Sequence, residues 1–149
     1  MMKEVLLTMQ GLQFDQRMED SDKIETVTVG DYYKKNNKHY VIYEEVVEGL
    51  PGATKNRLKF SRDMLELTRN GLINVHMVFQ ENKKNVTSYH TPFGQILIGI
   101  DTKKIQLTEK EDDIVVDVDY ALDVNYEFLS DCHIKIHICS KENSSFSLN

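Results

Sequence analysis

Tryptophan is absent from this 149-residue chain, and cysteine and proline occur only twice each. Two cysteines, no export signal and no recognisable Cys spacing exclude a disulfide framework and point to a reducing cytoplasm. No apolar run approaches the ~18 residues that a transmembrane helix needs. Met1-Met2-Lys3-Glu4 leads into a few apolar residues that Gln10 and Gln13 interrupt, which is not the pattern of a signal peptide. There is no Gly-rich phosphate loop and no Gly-x-Ser-x-Gly elbow. Cationic charge is also in deficit. The net charge of -6 argues against nucleic acid as a main partner, because phosphates demand a basic footprint. No membrane partner is expected either.

What remains is a chain rich in short β-forming runs. At this length it reads as one domain that buries about 68–70% of its unfolded surface, so it needs neither disulfide nor metal to fold. The expected domain covers residues 1–140, and the polar, Ser-rich segment 141–149 reads as a frayed tail. Val5–Phe14 is a first strand, and Asp15–Asp22 a polar loop. Lys23–Val29 alternates and continues through Asp31–Lys35 to Asn36-Asn37, a pair suited to a tight hairpin. His39–Val47 is the third strand, and Gly49–Gly52 breaks it. Lys55–Phe60 alternates charged and apolar. Met64–Thr68 has the length of a two-turn helix, but the Asn70-Gly71 hairpin signal after it favours a strand, with Leu72–Phe79 as partner.

The strongest punctuation lies at Ser88–Gly94. Pro92 has no N–H for a ladder, and Gly94 permits a positive φ. This corner links Asn85–Tyr89 to Gln95–Ile100, where Gly99 suggests a bulge or a close backbone approach. Asp101–Lys103 then reads as a turn and Ile105–Thr108 as a short strand of its own. Ile114–Leu122 and Tyr126–Cys139 are long strands, the latter with Phe128, Cys132, Ile134, Ile136 and Ile138 on one face. About ten strands joined by short turns predict an all-β antiparallel meander, and closing it removes the exposed edges.

Several motifs carry a resemblance. Tyr43-Glu44-Glu45, Gly49, Lys55, Arg69-Asn70-Gly71, Phe79, Tyr89-His90-Thr91-Pro92-Phe93-Gly94 and Tyr120-Ala121-Leu122 together resemble the YwiB-like family, the DUF1934 domain, of Gram-positive bacteria. The likeness runs from about Val5 to Ile138, and Tyr-x-Thr-Pro-Phe-Gly is its most specific part. The resemblance implies a lipocalin-like (calycin) β-barrel of about 8–10 strands in the bacterial cytoplasm. It implies no activity, so no catalytic role is carried over.

The chemistry is sparse. His133 and His137 share a strand face but lie about 13 Å apart, too far to ligate one zinc. Cys132 and Cys139 face opposite sides and cannot bridge. The acidic run Asp117–Asp123 lacks the glycine and the bidentate glutamate of a calcium loop and reads as a solvated face. No cofactor, metal or catalytic residue is expected. The constellation that stands out is polar residues inside strands. His39, Tyr43 and Glu45 share a face, Lys55, Arg57 and Lys59 share another, Arg69 ends a strand, and Tyr89 precedes the corner. If Glu45 points inward it should meet Arg57 or Arg69, because a buried charge needs a partner. Three readings stay open: side chains that point outward, a structural ion pair closing the barrel end, or a pocket for a small polar or anionic ligand.

The pocket version takes Tyr43, Glu45, Arg57, Arg69, Tyr89 and Phe93 as ligand-binding residues, with arginine reading a carboxylate or phosphate. The alternative function is a protein–protein interaction module. It would use the exterior and the segregated charge: Lys55–Lys84 balances to +4 (seven Lys/Arg against three Asp/Glu), and Glu109–Glu127 to -7 (one Lys against eight Asp/Glu). An enzyme is the third reading. Monomer and homodimer are both open.

Overall fold

Alternation along each strand divides an apolar interior from a charged exterior. In a computed structural model of the protein, residues 4–11, 25–45, 52–71, 74–91 and 94–141 are described. They form β1 (Glu4–Gln10), β2 (Glu25–Lys35), β3 (Lys38–Glu45), β4 (Thr54–Ser61), β5 (Met64–Asn70), β6 (Val75–Gln80), β7 (Lys83–Thr91), β8 (Gly94–Lys110), β9 (Asp113–Val124) and β10 (Glu127–Ser140). The predicted loop at Asp15–Asp22, most of the break at Gly49–Gly52, the residues Pro92 and Phe93, and positions 142–149 of the tail lie outside the described residues.

The ten strands make one antiparallel sheet in the order β6-β5-β4-β3-β2-β1-β10-β9-β8-β7. This is the sequence order cut between β6 and β7 and joined by pairing the first strand with the last, Leu7 opposite Ile138. The sheet thus curls into a nearly closed barrel. No ladder joins β6 to β7. The chain passes directly between them at Glu81-Asn82, whose N–H groups donate to Asp63 O at 3.1 Å and Thr102 O at 2.9 Å.

Inward positions fill the barrel. Leu58 and Phe60 of β4, Leu65 and Leu67 of β5, Phe79 of β6, Ile114, Val116 and Val118 of β9, and Ile134, Ile136 and Ile138 of β10 are buried. Phe79 meets Tyr120 edge-on across the interior at 5.1 Å between ring centroids. Each fully buried side chain of this size contributes roughly 1.5–3 kcal/mol.

One end of the barrel is closed by four two-residue turns, at 36–37, 62–63, 81–82 and 111–112. Asn36 and Asn37 both take positive φ, 53° and 63°, the geometry that matches strand twist in a tight hairpin. The opposite end carries the connections 11–24, 46–53, 71–74, 92–93 and 125–126. Met64–Thr68 is strand, as the hairpin signal predicted. Its turn is longer than Asn70-Gly71 suggests. Gly71 N donates to Asn74 Oδ1 at 3.1 Å, and the partner strand starts at Val75.

Two bulges alter the predicted pattern. Ile105–Thr108 is not a separate strand. A bulge between Thr102 and Lys104 absorbs one residue, and β8 runs unbroken to Lys110 in register with β9. A second bulge between Phe128 and Ser130 shifts the phase of β10. Phe128 is consequently exposed, not on the inner face with Ile134. Gly99 marks a close approach, because a Cβ there would collide with the Asp123 carboxylate of the facing strand.

Candidate functional site

Three neighbouring strands place polar side chains inside the barrel near the end opposite the four two-residue turns. Tyr43 of β3 lies opposite Asn56 of β4, which lies opposite Arg69 of β5. All three are in phase with inward neighbours: Tyr43 with Val41, Asn56 with Leu58 and Phe60, Arg69 with Leu67. Glu45, two residues beyond Tyr43, stays on the same face at the mouth.

The contacts are specific. Asn56 Nδ2 donates to Glu45 Oε1 at 2.7 Å. Arg69 Nη2 stands 4.0 Å from the same oxygen. The Tyr43 hydroxyl donates to Met9 Sδ at 3.8 Å. Burial pushes the Tyr43 phenol well above its usual range, with Arg69 pulling it down and Glu45 pushing it up, so it stays protonated. A carboxylate only accepts, so Glu45 requires Asn56 to present its NH₂ group. Among the described residues, that orientation leaves Asn56 Oδ1 buried without a partner, and Arg69 Nε is bare in the same way.

The expected site is thus partly assembled. Tyr43, Glu45 and Arg69 come together, and Glu45 finds Arg69 as its charge partner. Arg57 does not belong. It lies opposite Ile42 and Thr68 on the exposed outer face, because strand alternation turns it away from Asn56 and Leu58. Tyr89 is half-buried on β7 opposite Ile96 and packs on the core, across the β6–β7 seam from this cluster. Phe93 lies outside the described residues. Asn56 was missed, although its phase with Leu58 and Phe60 marks it as an inward amide.

A second polar cluster lies at the tightly turned end. The Tyr32 hydroxyl hydrogen-bonds His39 Nδ1 at 2.7 Å. His39 Nε2 faces Glu109 Oε1 at 3.4 Å, and Lys34 Nζ donates to Glu109 Oε2 at 3.2 Å. The His39 ring stacks on Phe60 at 4.9 Å and is 2% exposed. Burial lowers its pKa, and Lys34 adds to this while Glu109 opposes it. Burial and Glu109 push the Tyr32 phenol up to about 12.

His133 and His137 point outward to different aspartates of β9. His133 Nδ1 meets Asp119 at 2.6 Å and its Nε2 meets Asp117 at 3.1 Å, while His137 pairs with Asp113. Burial works against charge on His133, but the hydrogen bonds to Asp119 and Asp117 outweigh it and raise the pKa. Among the described residues no group of three His, Cys, Asp or Glu side chains is arranged to hold a metal ion.

An antiparallel ten-stranded barrel with a small polar cluster at its mouth defines the class: a small β-barrel protein. Within that class, residues 7–136 match the DUF1934 family, described as a domain of unknown function, and the chain belongs to that family. It is 29% identical over 108 residues to the uncharacterized beta-barrel protein YwiB of Bacillus subtilis (strain 168), a match covering 72% of this chain and 75% of that one. The crystal structure of the ywiB protein from Bacillus subtilis superimposes with a TM-score of 0.73 at 24% identity, covering 93% of this chain and 92% of that one.

Proposed function

We propose that this is a non-catalytic cytoplasmic binding protein, a lipocalin-like (calycin) barrel that holds one small polar or anionic molecule at the Arg69 mouth. The observation that carries the reading is the pair of buried atoms, Arg69 Nε and Asn56 Oδ1, which have no hydrogen-bond partner among the described residues. A buried polar atom without a partner costs about 1–3 kcal/mol, so a half-satisfied network is poor structural design. One atom donates and the other accepts. Their complement is an edge carrying an acceptor beside a donor, as in an amide, a lactam or a protonated carboxyl group. Glu45 already stands against the Arg69 charge, which favours a neutral edge over a full anion. Tyr43 and Met9 supply an apolar wall.

Native mass spectrometry of gently purified protein tests this. The expected result is a reproducible extra mass that disappears in Arg69→Ala. A bare chain whose melting temperature also ignores a panel of small amides, lactams and carboxylic acids overturns the reading.

A second reading, a protein–protein interaction module, is supported by the outer face of β2 and β3. Val27, Val29, Tyr33 and Ile42 are exposed there, and Tyr33 stacks on Tyr40 at 4.8 Å. The Lys55, Arg57 and Lys59 side chains of β4 flank this apolar strip. Loss of a captured partner in Ile42→Glu, with the Arg69 ligand retained, would favour it.

A further inference from the structure

The tightly turned end of the barrel carries a recess of about 500 Å³, lined among others by Tyr32, Lys34, Arg62, Leu107, Glu109 and Lys110. It is a built feature. β7 begins at Lys83, opposite Thr102, so residues 103–110 of β8 have no β7 partner and pair with β9 alone. The bulge at Lys103 bends this extension. Glu81 accepts the otherwise bare N–H of Ile105 at 3.0 Å and holds it in place. The extension thereby brings Leu107 and Glu109 against β2.

The apolar part of the lining is Tyr32 and Leu107. Leu107 is half-buried against the core, and Tyr32 lines the same recess with its hydroxyl occupied by His39. The rim has the opposite sign to the rest of the molecule. Lys34, Arg62 and Lys110 come from β2, the β4–β5 turn and the end of β8, against the carboxylates of Glu109 and Glu111. Glu109 is engaged by Lys34 and by His39. Arg62 and Lys110 have no acidic partner among the described residues. With Lys34 and Glu109 paired, Arg62 and Lys110 stand against the single carboxylate of Glu111, a local excess of positive charge beside apolar surface in a chain of net charge -6.

We propose that this recess binds a small organic anion with an apolar body, its carboxylate, sulfonate or phosphate between Arg62 and Lys110 and its body on Tyr32 and Leu107. The arginine offers a planar fork for two oxygens, and the lysine a point charge. The site is separate from the Arg69 mouth, at the other end of the barrel, and does not depend on it.

The test is a fluorescence titration of the full chain with anilinonaphthalene sulfonate, an apolar body carrying one anionic group. The expected result is saturable binding of one probe per chain, weakened about tenfold in the Arg62→Glu/Lys110→Glu double variant and also weakened by salt. Both substitutions are at exposed positions, and an unchanged melting temperature shows that the variant is folded. Leu107→Ser should weaken binding without altering its salt dependence. Lys135→Ala, an exposed cation on the outer face of β10, should leave the titration unchanged. Unsaturable binding, binding indifferent to the double variant, or binding lost in Arg69→Ala alone would each overturn the proposal.

Discussion

At the tightly turned end, Tyr32, His39, Glu109 and Lys34 form a chain in which the phenol, both ring nitrogens and the carboxylate all have partners. At the other end, Glu45 holds Asn56 and stands near Arg69, yet Asn56 Oδ1 and Arg69 Nε find no partner among the described residues. Both clusters are polar, inward-facing and built on β-strands. They differ in completeness, and the difference separates two uses of buried polarity. A completed network fixes the geometry of the fold. An incomplete one at a mouth leaves donors and acceptors for something else to satisfy.

The comparison is broken most directly at His39. His39→Ala removes a ring stacked on Phe60 and strands the Tyr32 hydroxyl in the interior. It should lower the unfolding free energy by about 3 kcal/mol in a urea titration, from the cavity and the lost partner together. The same residue sets a pH dependence. Its folded pKa lies below the unfolded value of 6.5, because burial disfavours the charged ring. Above that value both states are neutral and nothing is lost. As pH falls below it, the unfolded chain takes up a proton that the folded one refuses, so stability drops. His133 has the reverse sign: its raised pKa stabilises the fold at low pH, and that gain is lost as pH rises through the folded value. His39→Ala should therefore abolish the acid-side loss and leave the His133 contribution, which His133→Asn removes. An acid-side loss that persists in His39→Ala would assign it to other groups.

Asn56 sharpens the comparison from the other side. Replacing a buried amide that has one bare oxygen by an apolar side chain of similar size removes an unsatisfied group. Asn56→Leu should raise stability by about 1 kcal/mol, since Glu45, 35% exposed, can take water in place of the amide. It should also abolish retention of any co-purifying molecule. A stability loss of about 2 kcal/mol would instead make Asn56 a structural residue, and the two ends would then be alike.

Much of the barrel was legible because strand alternation is a strict period. Ile114, Val116, Val118, Tyr120 and Leu122 read as one face and are all buried. His39, Tyr43 and Glu45 read as one face and all point inward. The same arithmetic held the correct position of Asn56 and the exclusion of Arg57. Lys55, Arg57 and Lys59 alternate against Asn56, Leu58 and Phe60, but the attraction of a charge for Glu45 outweighed the phase. Bulges were illegible. Neither Lys103 nor the stretch around Phe128 carries a glycine or proline to signal the extra residue. The contact of Glu109 with His39 was beyond reach for a different reason. It exists only because β8 outruns β7 and bends across the barrel end, and pattern within a strand says nothing about what lies across an interior.

The smallest expected effect belongs to Arg57. It sits on the same three strands as the Arg69 cluster, one residue along β4 from Asn56, and carries the same charge as Arg69. Only the direction of its side chain differs. Arg57→Ala should change stability by less than about 0.5 kcal/mol, as for most exposed positions. It should leave any mass retained by the wild-type chain in place. If Arg57→Ala released that mass as readily as Arg69→Ala, the ligand would have to lie on the outer face of β3, β4 and β5. The bare atoms of the mouth would then be irrelevant to it. If only Arg69→Ala released it, the direction of the side chain alone would separate a recognition arginine on β5 from a solvated one on β4, as the inward–outward alternation requires.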